Sequence, residues 1–262
     1  MNADTPIFEI EDLHFGYPQH PVLKGLSLTL PAGRLYGLLG PNGCGKTTLL
    51  DLLAGLRRPQ KGRIVFQGRS LTSFHRQALA REIALVPQNF YVNFPFNVQD
   101  VVMMGRYPHL KRFARPGAED LRLVAEAMDA TDTNRFARQP VTALSGGERQ
   151  RVIFARALAQ DAGVLMLDEA TASLDIRHTL ELLGLSRRRV QEQQQTVIAV
   201  FQDINLAAMY CDELLFMKDG EIALQGPTAD VVRADTLLSI YGVEGHIRTH
   251  SLYGLPQVDF NR

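Results

Sequence analysis

Eight consecutive residues, Gly40, Pro41, Asn42, Gly43, Cys44, Gly45, Lys46 and Thr47, have the types and spacing G-x-x-x-x-G-K-T of a loop that wraps phosphate groups. The apolar run Arg34 to Leu39 before them suits a buried strand. The residues after them, Thr48 with Leu49, Leu50, Leu52 and Leu53, have helical spacing. The glycines therefore sit at a strand-to-helix turn, where backbone N–H groups can converge on phosphate oxygens and the helix adds its positive end. Lys46 is placed to reach the β- and γ-phosphates and the Thr47 hydroxyl to meet Mg²⁺. The competing reading is a glycine-rich turn with a surface lysine. A chance match of this length arises in about one chain in a hundred, and the strand-to-helix context lowers that further.

Two more segments carry matching chemistry. Val164 to Leu167 reads as an apolar strand whose end carries Asp168 and Glu169. Ligands bind at the carboxyl ends of strands in open α/β sheets. Asp168 is expected to hold Mg²⁺ directly or through water, and Glu169 to orient or deprotonate an attacking water. The pentapeptide Leu144 to Glu148 is a capping box, with Ser145 and Glu148 opening a helix through Arg151, Val152, Ala155 and Leu158. Gly146 and Gly147 weaken a first helical turn but leave N–H groups bare for an anion. A second phosphate-contacting surface is therefore expected there, against the simpler reading of a plain helix cap.

These segments, in this order, resemble the ATPase subunits of the ATP-binding cassette (ABC) family over roughly residues 7 to 240. The resemblance implies an α/β P-loop NTPase (RecA-like) nucleotide-binding domain with an antiparallel β subdomain and an inserted helical subdomain. It implies ATP and Mg²⁺ as ligands, with Gly40 to Thr48 and Ser145 to Glu148 on the nucleotide. By the same resemblance Tyr17 stacks on adenine, Gln88 senses Mg²⁺ and the attacking water, and Ser173 to Asp175 form the D-loop. Two subunits form a head-to-tail homodimer, in which the Lys46 loop of one and the Ser145-Gly146-Gly147 helix start of the other clamp the same ATP. Two positions depart from the pattern. Gln202 stands where the family carries a switch histidine, and Ala170 where it has proline. A glutamine amide can donate a hydrogen bond to the γ-phosphate but cannot titrate near neutrality. Loss of one such contact lowers turnover by roughly 10²–10³ unless the new side chain substitutes for it. The expectation is an active but atypical ATPase, with Glu169, Gln88 and Gln202 as its catalytic set and a rate near neutral pH not governed by position 202.

The elements that must position these residues follow from patterning. Ile7 to Leu30 alternates as antiparallel strands, and Ile64 to Phe66 and Ile83 to Val86 read as further strands. Residues 89 to 157 read as helical, broken by Pro95, Pro108, Pro116 and Pro140, and are expected as an insertion in the ATPase domain 5–240. Beyond lie a helix from Ile176 to Gln194, a strand at Val197, and a hairpin of Glu213 to Lys218 and Glu221 to Gln225 across Asp219-Gly220. The tail 241–262 has no clear period and receives no assignment. The 262 residues carry 28 basic and 28 acidic side chains, which with the absence of a basic tract argues against nucleic acid as a partner. No run of 18 apolar residues spans a membrane and no secretory signal opens the chain. Cys44 and Cys211 have no paired spacing, and His246 and His250 lack a third ligand for a transition metal.

An ABC ATPase without membrane spans must act on something else. The expected partners are integral-membrane permease subunits docking near Gln88 and Asn89 to Tyr107, with an extracytoplasmic solute-binding protein engaged indirectly. The ATPase would then lie peripherally on the cytoplasmic face of the inner membrane. Val98, Val101 and Met104 are expected to pack the small subdomain, and Phe90, Tyr91, Phe94 and Tyr107 to supply exposed contacts. The run Met104 to His109, the segment Asp203 to Ala208 and the overall size resemble ATPases of importers for iron-siderophore, haem or cobalamin. A non-transport ABC ATPase on nucleic acid or the ribosome, and an exporter ATPase with a separate permease, are the other classes. The single cassette and lack of sustained heptads disfavour the first of these.

Overall fold

The computed structural model describes residues 6–88, 90 and 94–260. Strands β1 (Pro6–Tyr17) and β2 (His20–Pro31) open the chain as a long antiparallel pair. Strand β3 (Leu35–Leu39) runs into the glycine-rich loop and helix α1 (Lys46–Leu53). Next come β4 (Lys61–Phe66), β5 (Arg69–Ser70), α2 (Arg76–Glu82) and β6 (Ile83–Val86). A helical stretch holds α3 (Val98–Met103), a 3₁₀ turn over Met104–His109, α4 (Ala118–Ala130) and α5 (Gly146–Ala159). The chain returns through β7 (Val164–Leu167), α6 (Ile176–Gln193), β8 (Thr196–Val200), α7 (Ile204–Tyr210) and β9 (Glu213–Lys218). It closes with β10 (Glu221–Pro227), α8 (Thr228–Val231), α9 (Ala234–Tyr241), β11 (Gly245–Thr249) and β12 (Pro256–Phe260).

One sheet has the order β2-β1-β4-β5 and is antiparallel; the other has the order β10-β9-β3-β8-β7-β6 and is parallel except at β10. The parallel strands are apolar along their middles because both faces are covered, with Thr196, Glu213 and Lys218 at strand ends. Their period of two sorts side chains between two cores. Leu35, Leu39, Leu165, Leu167, Val197, Ala199, Leu214 and Phe216 enter the core shared with the helical region and α9. Tyr36, Leu38, Val164, Met166, Ile198, Val200, Leu215 and Met217 enter the core shared with α1 and the antiparallel sheet. The β9–β10 turn has both central residues at positive φ, Asp219 at 52° and Gly220 at 90°, as a two-residue hairpin demands.

The expected helical stretch is discontinuous, and its prolines fall at the breaks. Pro95 precedes α3, Pro108 lies in the 3₁₀ turn, and Pro116 and Pro140 lie outside the α-helices. Val98 and Val101 are fully buried as expected, but Met103 rather than Met104 packs against the core. The run Met104 to His109 is largely an internal fastening. Arg106 is buried, pairs with Asp120 at 2.9 Å and donates from Nη1 to the Ala159 carbonyl at 2.8 Å, while the His109 ring bonds the Gln160 carbonyl at 2.8 Å. Phe94 and Tyr107 are exposed, Phe90 is half-buried beneath the Arg156 guanidinium at 4.2 Å, and Tyr91 lies outside the described residues. The unassigned tail contains the last residue of α9, Tyr241, and the antiparallel pair β11–β12, whose Val258 is buried in the core that α9 shares.

Candidate active site

The loop after β3 is shaped by its glycines. Gly40 has φ 145°, and a Cβ there would lie 2.1 Å from the Met217 carbonyl oxygen, so the loop can leave the sheet only where no side chain exists. The Lys46 side chain is 7% exposed and donates from Nζ to the carbonyls of Gly40 at 2.7 Å and Pro41 at 3.0 Å. A buried ammonium requires such partners, and phosphate oxygens in the same cradle would take their place. Cys44 is buried beside it, with the thiol pushed up by that burial, so its role in the loop is packing. Thr48 is buried within the first turn of α1, while the Thr47 hydroxyl donates to Asp168 Oδ1 at 3.1 Å.

Strands β6, β7 and β8 are neighbours, and Gln88, Glu169 and Gln202 stand at the same place on each, two residues beyond its end. Sheet order thereby gathers side chains that are 81 and 33 positions apart in sequence. The Gln88 amide donates to Glu169 Oε2 at 2.7 Å and the Gln202 amide donates to the same oxygen at 2.6 Å. Glu169 has φ 49°, an uncommon conformation for a non-glycine residue that turns the chain sharply off the strand. Asp168 beside it is 4% exposed, and loss of hydration raises its carboxyl to about 6, with the Thr47 hydrogen bond opposing the rise.

The second expected surface is built as its sequence suggests. Ser145 accepts from the Glu148 N–H at 3.4 Å, and Glu148 Oε2 accepts from the Ser145 N–H at 2.9 Å and its hydroxyl at 2.7 Å, which holds the Glu148 carboxyl below its usual range. A Cβ on Gly146 would meet nothing within 4 Å, whereas one on Gly147 would come within 3.3 Å of the Ser173 carbonyl. Gly146 thus leaves open space at the helix start, and Gly147 lets the 173–175 turn lie against it. Asp175 caps α6 by accepting from the His178 N–H at 2.9 Å. No hydrogen bond or ion pair among the described residues joins Ser145–Glu148 to the Lys46 loop. Tyr17 is 42% exposed at the other margin, with the Arg57 guanidinium 5.0 Å over its ring and Asp51 holding Arg57 at 2.8 Å.

Sequence reasoning had no signal for Arg57, whose relation to Tyr17 depends on the turn after α1. It also passed over Asn205, which binds the tail. For position 202 the sequence suggests an amide that could donate to the γ-phosphate, and the fold adds a contact with Glu169.

The model of the ABC transporter family matches residues 23–172, a span that includes the Lys46 loop, Gln88, the Ser145 helix start and Glu169. The chain belongs to this ABC family. It is 38% identical over 258 residues to the hemin import ATP-binding protein HmuV of Thermobifida fusca (strain YX), covering 98% of this chain and 90% of that one. It is also 38% identical over 248 residues to the ferric enterobactin transport ATP-binding protein FepC of Escherichia coli (strain K12), covering 95% and 92%. Among solved structures, a metal-chelate type ABC transporter in an inward-facing conformation aligns over 98% of both chains with a TM-score of 0.83 and 28% identity. In this ABC chain, no helix among the described residues is long and apolar enough to cross a membrane.

Proposed function

We propose that this chain is the ATP-hydrolysing, energy-coupling subunit of a membrane importer for iron-siderophore, haem or cobalamin-type chelates. The observation that carries the reading is the meeting of Gln88 and Gln202 on one oxygen of Glu169, beside Asp168 and Thr47. In this reading the Gly40–Thr48 loop binds the phosphates through its N–H groups and Lys46, which exchanges the Gly40 and Pro41 carbonyls for phosphate oxygens. Tyr17 presents its ring to the base. Glu169 accepts a hydrogen bond or a proton from the attacking water, and the two amides fix which oxygen does so. Gln202 keeps its charge state across neutral pH, so it contributes geometry and no titration.

Thr47 and Asp168 fit a magnesium site. The Thr47 hydroxyl lies 3.1 Å from the buried Asp168 carboxylate, a pair of hard oxygen ligands of the kind Mg²⁺ takes together with phosphate oxygens and water. Mg²⁺ bound there would neutralise charge on the β- and γ-phosphates.

Ser145, Gly146, Gly147, Glu148 and Asp175 present donors and a turn without touching the chain's own Lys46 loop. They serve the nucleotide held by a second copy in a head-to-tail dimer. The permease meets Phe94, Phe96 and Tyr107, which are exposed near Gln88 in sequence and continuous with the Arg106 fastening of α5. A solute-binding protein delivers the chelate to the permease from the other side, and this subunit lies peripherally on the cytoplasmic face. The balanced charge supports an absence of nucleic-acid partners.

The test is coexpression with the permease encoded beside it and reconstitution in lipid. Hydrolysis that is lost in Glu169→Gln and rises with the solute-binding protein is the expected result. Hydrolysis indifferent to the permease, or none at all, would overturn the import reading.

A further inference from the structure

Gln202 itself is exposed, although its neighbours Phe201 and Ile204 are buried in the core. On one side is a cavity of about 620 Å³ lined by Gln202, Ile204, Leu237, Tyr241, Val243 and Phe260 with Glu244 at its edge. On the other is a cavity of about 160 Å³ that includes Glu169, Thr171, Asp203 and Leu206 in its lining. A side chain between two voids keeps its place through hydrogen bonds and through the backbone on either side of it. Upstream, Phe201 is buried and its N–H donates to the Leu38 carbonyl at 3.0 Å, so the loop leaves β8 from a fixed point. Downstream, the Asp203 carboxylate accepts from the N–H groups of Asn205 at 2.7 Å and Leu206 at 3.2 Å, which locks residue 203 to the first turn of α7. Helix α7 has seven residues, too few to hold a position by its own stability.

At this end α7 is held by the burial of Ile204, Ala207 and Ala208 and by the tail. The Asn205 side-chain amide donates from Nδ2 to the Val258 carbonyl at 3.1 Å, and its Oδ1 accepts from the Val258 N–H at 2.7 Å. Val258 pairs in register with Ile247 across the hairpin. An edge strand leaves alternate N–H and C=O groups without a strand partner. Asn205 supplies the missing peptide, a two-point contact that fixes direction as well as distance. Val258 is 3% exposed in the core with Leu237 and Ile240 of α9, so the clasp reaches a firm part of the molecule.

We propose that Asn205 and the β11–β12 hairpin are positioning elements that set Gln202, and through it Glu169, for hydrolysis. The inference rests on the reading of Glu169 as the hydrolytic carboxylate. Two residues, Asp203 and Ile204, separate the clasp at Asn205 from Gln202, and the hairpin touches no part of the Lys46 loop by any hydrogen bond among the described residues. Displacing the hairpin therefore acts first on the switch position, and it reaches the phosphate cradle only through α9, whose Tyr241 lies beside Gly40. The tail becomes a handle on turnover rather than on nucleotide affinity, and anything that lifts the hairpin slows hydrolysis.

The experiment is steady-state ATP hydrolysis by the full chain, alone and with its permease, for wild type, Asn205→Ala, Gln202→Ala and the double variant. Fluorescent-ATP binding and thermal unfolding are measured on the same preparations. Asn205→Ala is expected to lower kcat about ten- to a hundredfold, with KM and nucleotide affinity within about twofold of wild type. In the Gln202→Ala background the same change is expected to do almost nothing further, because the two act in series. Asn205→Asp keeps the size and the acceptor for the Val258 N–H but opposes an oxygen to the Val258 carbonyl. It should match Asn205→Ala in kcat while melting within a few degrees of wild type, which covers the case in which the alanine variant does not fold. Unchanged kcat in the aspartate variant, effects of the two positions that multiply, or a loss confined to KM would each overturn the proposal. A wild-type chain that does not hydrolyse ATP, or a Glu169→Gln variant that still does, overturns the functional reading itself and this inference with it.

Discussion

At the scale of single residues the site is a carboxylate held from two sides. Glu169 takes a left-handed backbone conformation at the end of β7 and receives the Gln88 and Gln202 amides on one oxygen. Glu169→Gln turns an acceptor that can take a proton into an amide that cannot. Steady-state hydrolysis should fall by about 10²–10⁴ while fluorescent-ATP affinity is kept, and a variant within tenfold of wild type would assign the base elsewhere. Asp168 offers a second prediction, in the metal-free protein. Its carboxyl is raised to about 6 by burial, so between the ordinary aspartate range and pH 6 the folded chain binds a proton that the unfolded chain has released. This group therefore lowers stability as pH rises through that window, by roughly 2–3 kcal/mol when complete. Asp168→Asn, measured by thermal unfolding in chelator, should be more stable than wild type at pH 7 and lose that advantage near pH 4. An equal difference at both pH values would show that deprotonation of Asp168 is not the cause.

At the scale of elements, α5 ties the second phosphate surface to the exposed face near Phe94 and Tyr107. Its start carries the Ser145 cap and Gly146, and its last carbonyls accept from Arg106, whose guanidinium is also paired with Asp120. The 3₁₀ turn approaches α5 so closely that a Cβ on Gly105 would lie 2.2 Å from the Arg156 carbonyl. Arg106→Ala removes a buried partner, leaving the Ala159 carbonyl without this donor and Asp120 with the Gly117 N–H, a loss of about 1–3 kcal/mol. Urea unfolding should report it as a lower midpoint, whereas a change below about 1 kcal/mol would mean that packing of the turn carries the contact.

For the whole molecule the relevant fact is separation. One chain holds both phosphate surfaces and joins neither to the other by a hydrogen bond or ion pair among the described residues. In the proposed head-to-tail dimer a second copy would complete the site, and ATP would favour the closed pair because only there would the γ-phosphate gain the Ser145-Gly146-Gly147 donors. Light scattering on Glu169→Gln should therefore find a dimer with ATP and a monomer with ADP. Monomer in both would mean that closure requires the permease.

Much of this was legible before any coordinates. The Lys46 loop, the Asp168-Glu169 strand end and the Ser145 cap are local motifs, written in neighbouring residues because strand, turn and helix start are fixed by short-range sterics and hydrogen bonding. The same holds for Asp219-Gly220, whose two positive φ values the residue types foretell. The Met104–His109 run was legible as a motif but not as a fastening, since Asp120 and Ala159 come to it through packing. The tail was opaque because β11 and β12 are short, and only half of their meaning lies in their own residues. What the tertiary structure alone decided is the order β8-β7-β6. Strands adjacent in that sheet are dozens of residues apart in the chain, and the register of non-local backbone hydrogen bonds sets Gln88, Glu169 and Gln202 at one edge, where no local pattern could have placed them.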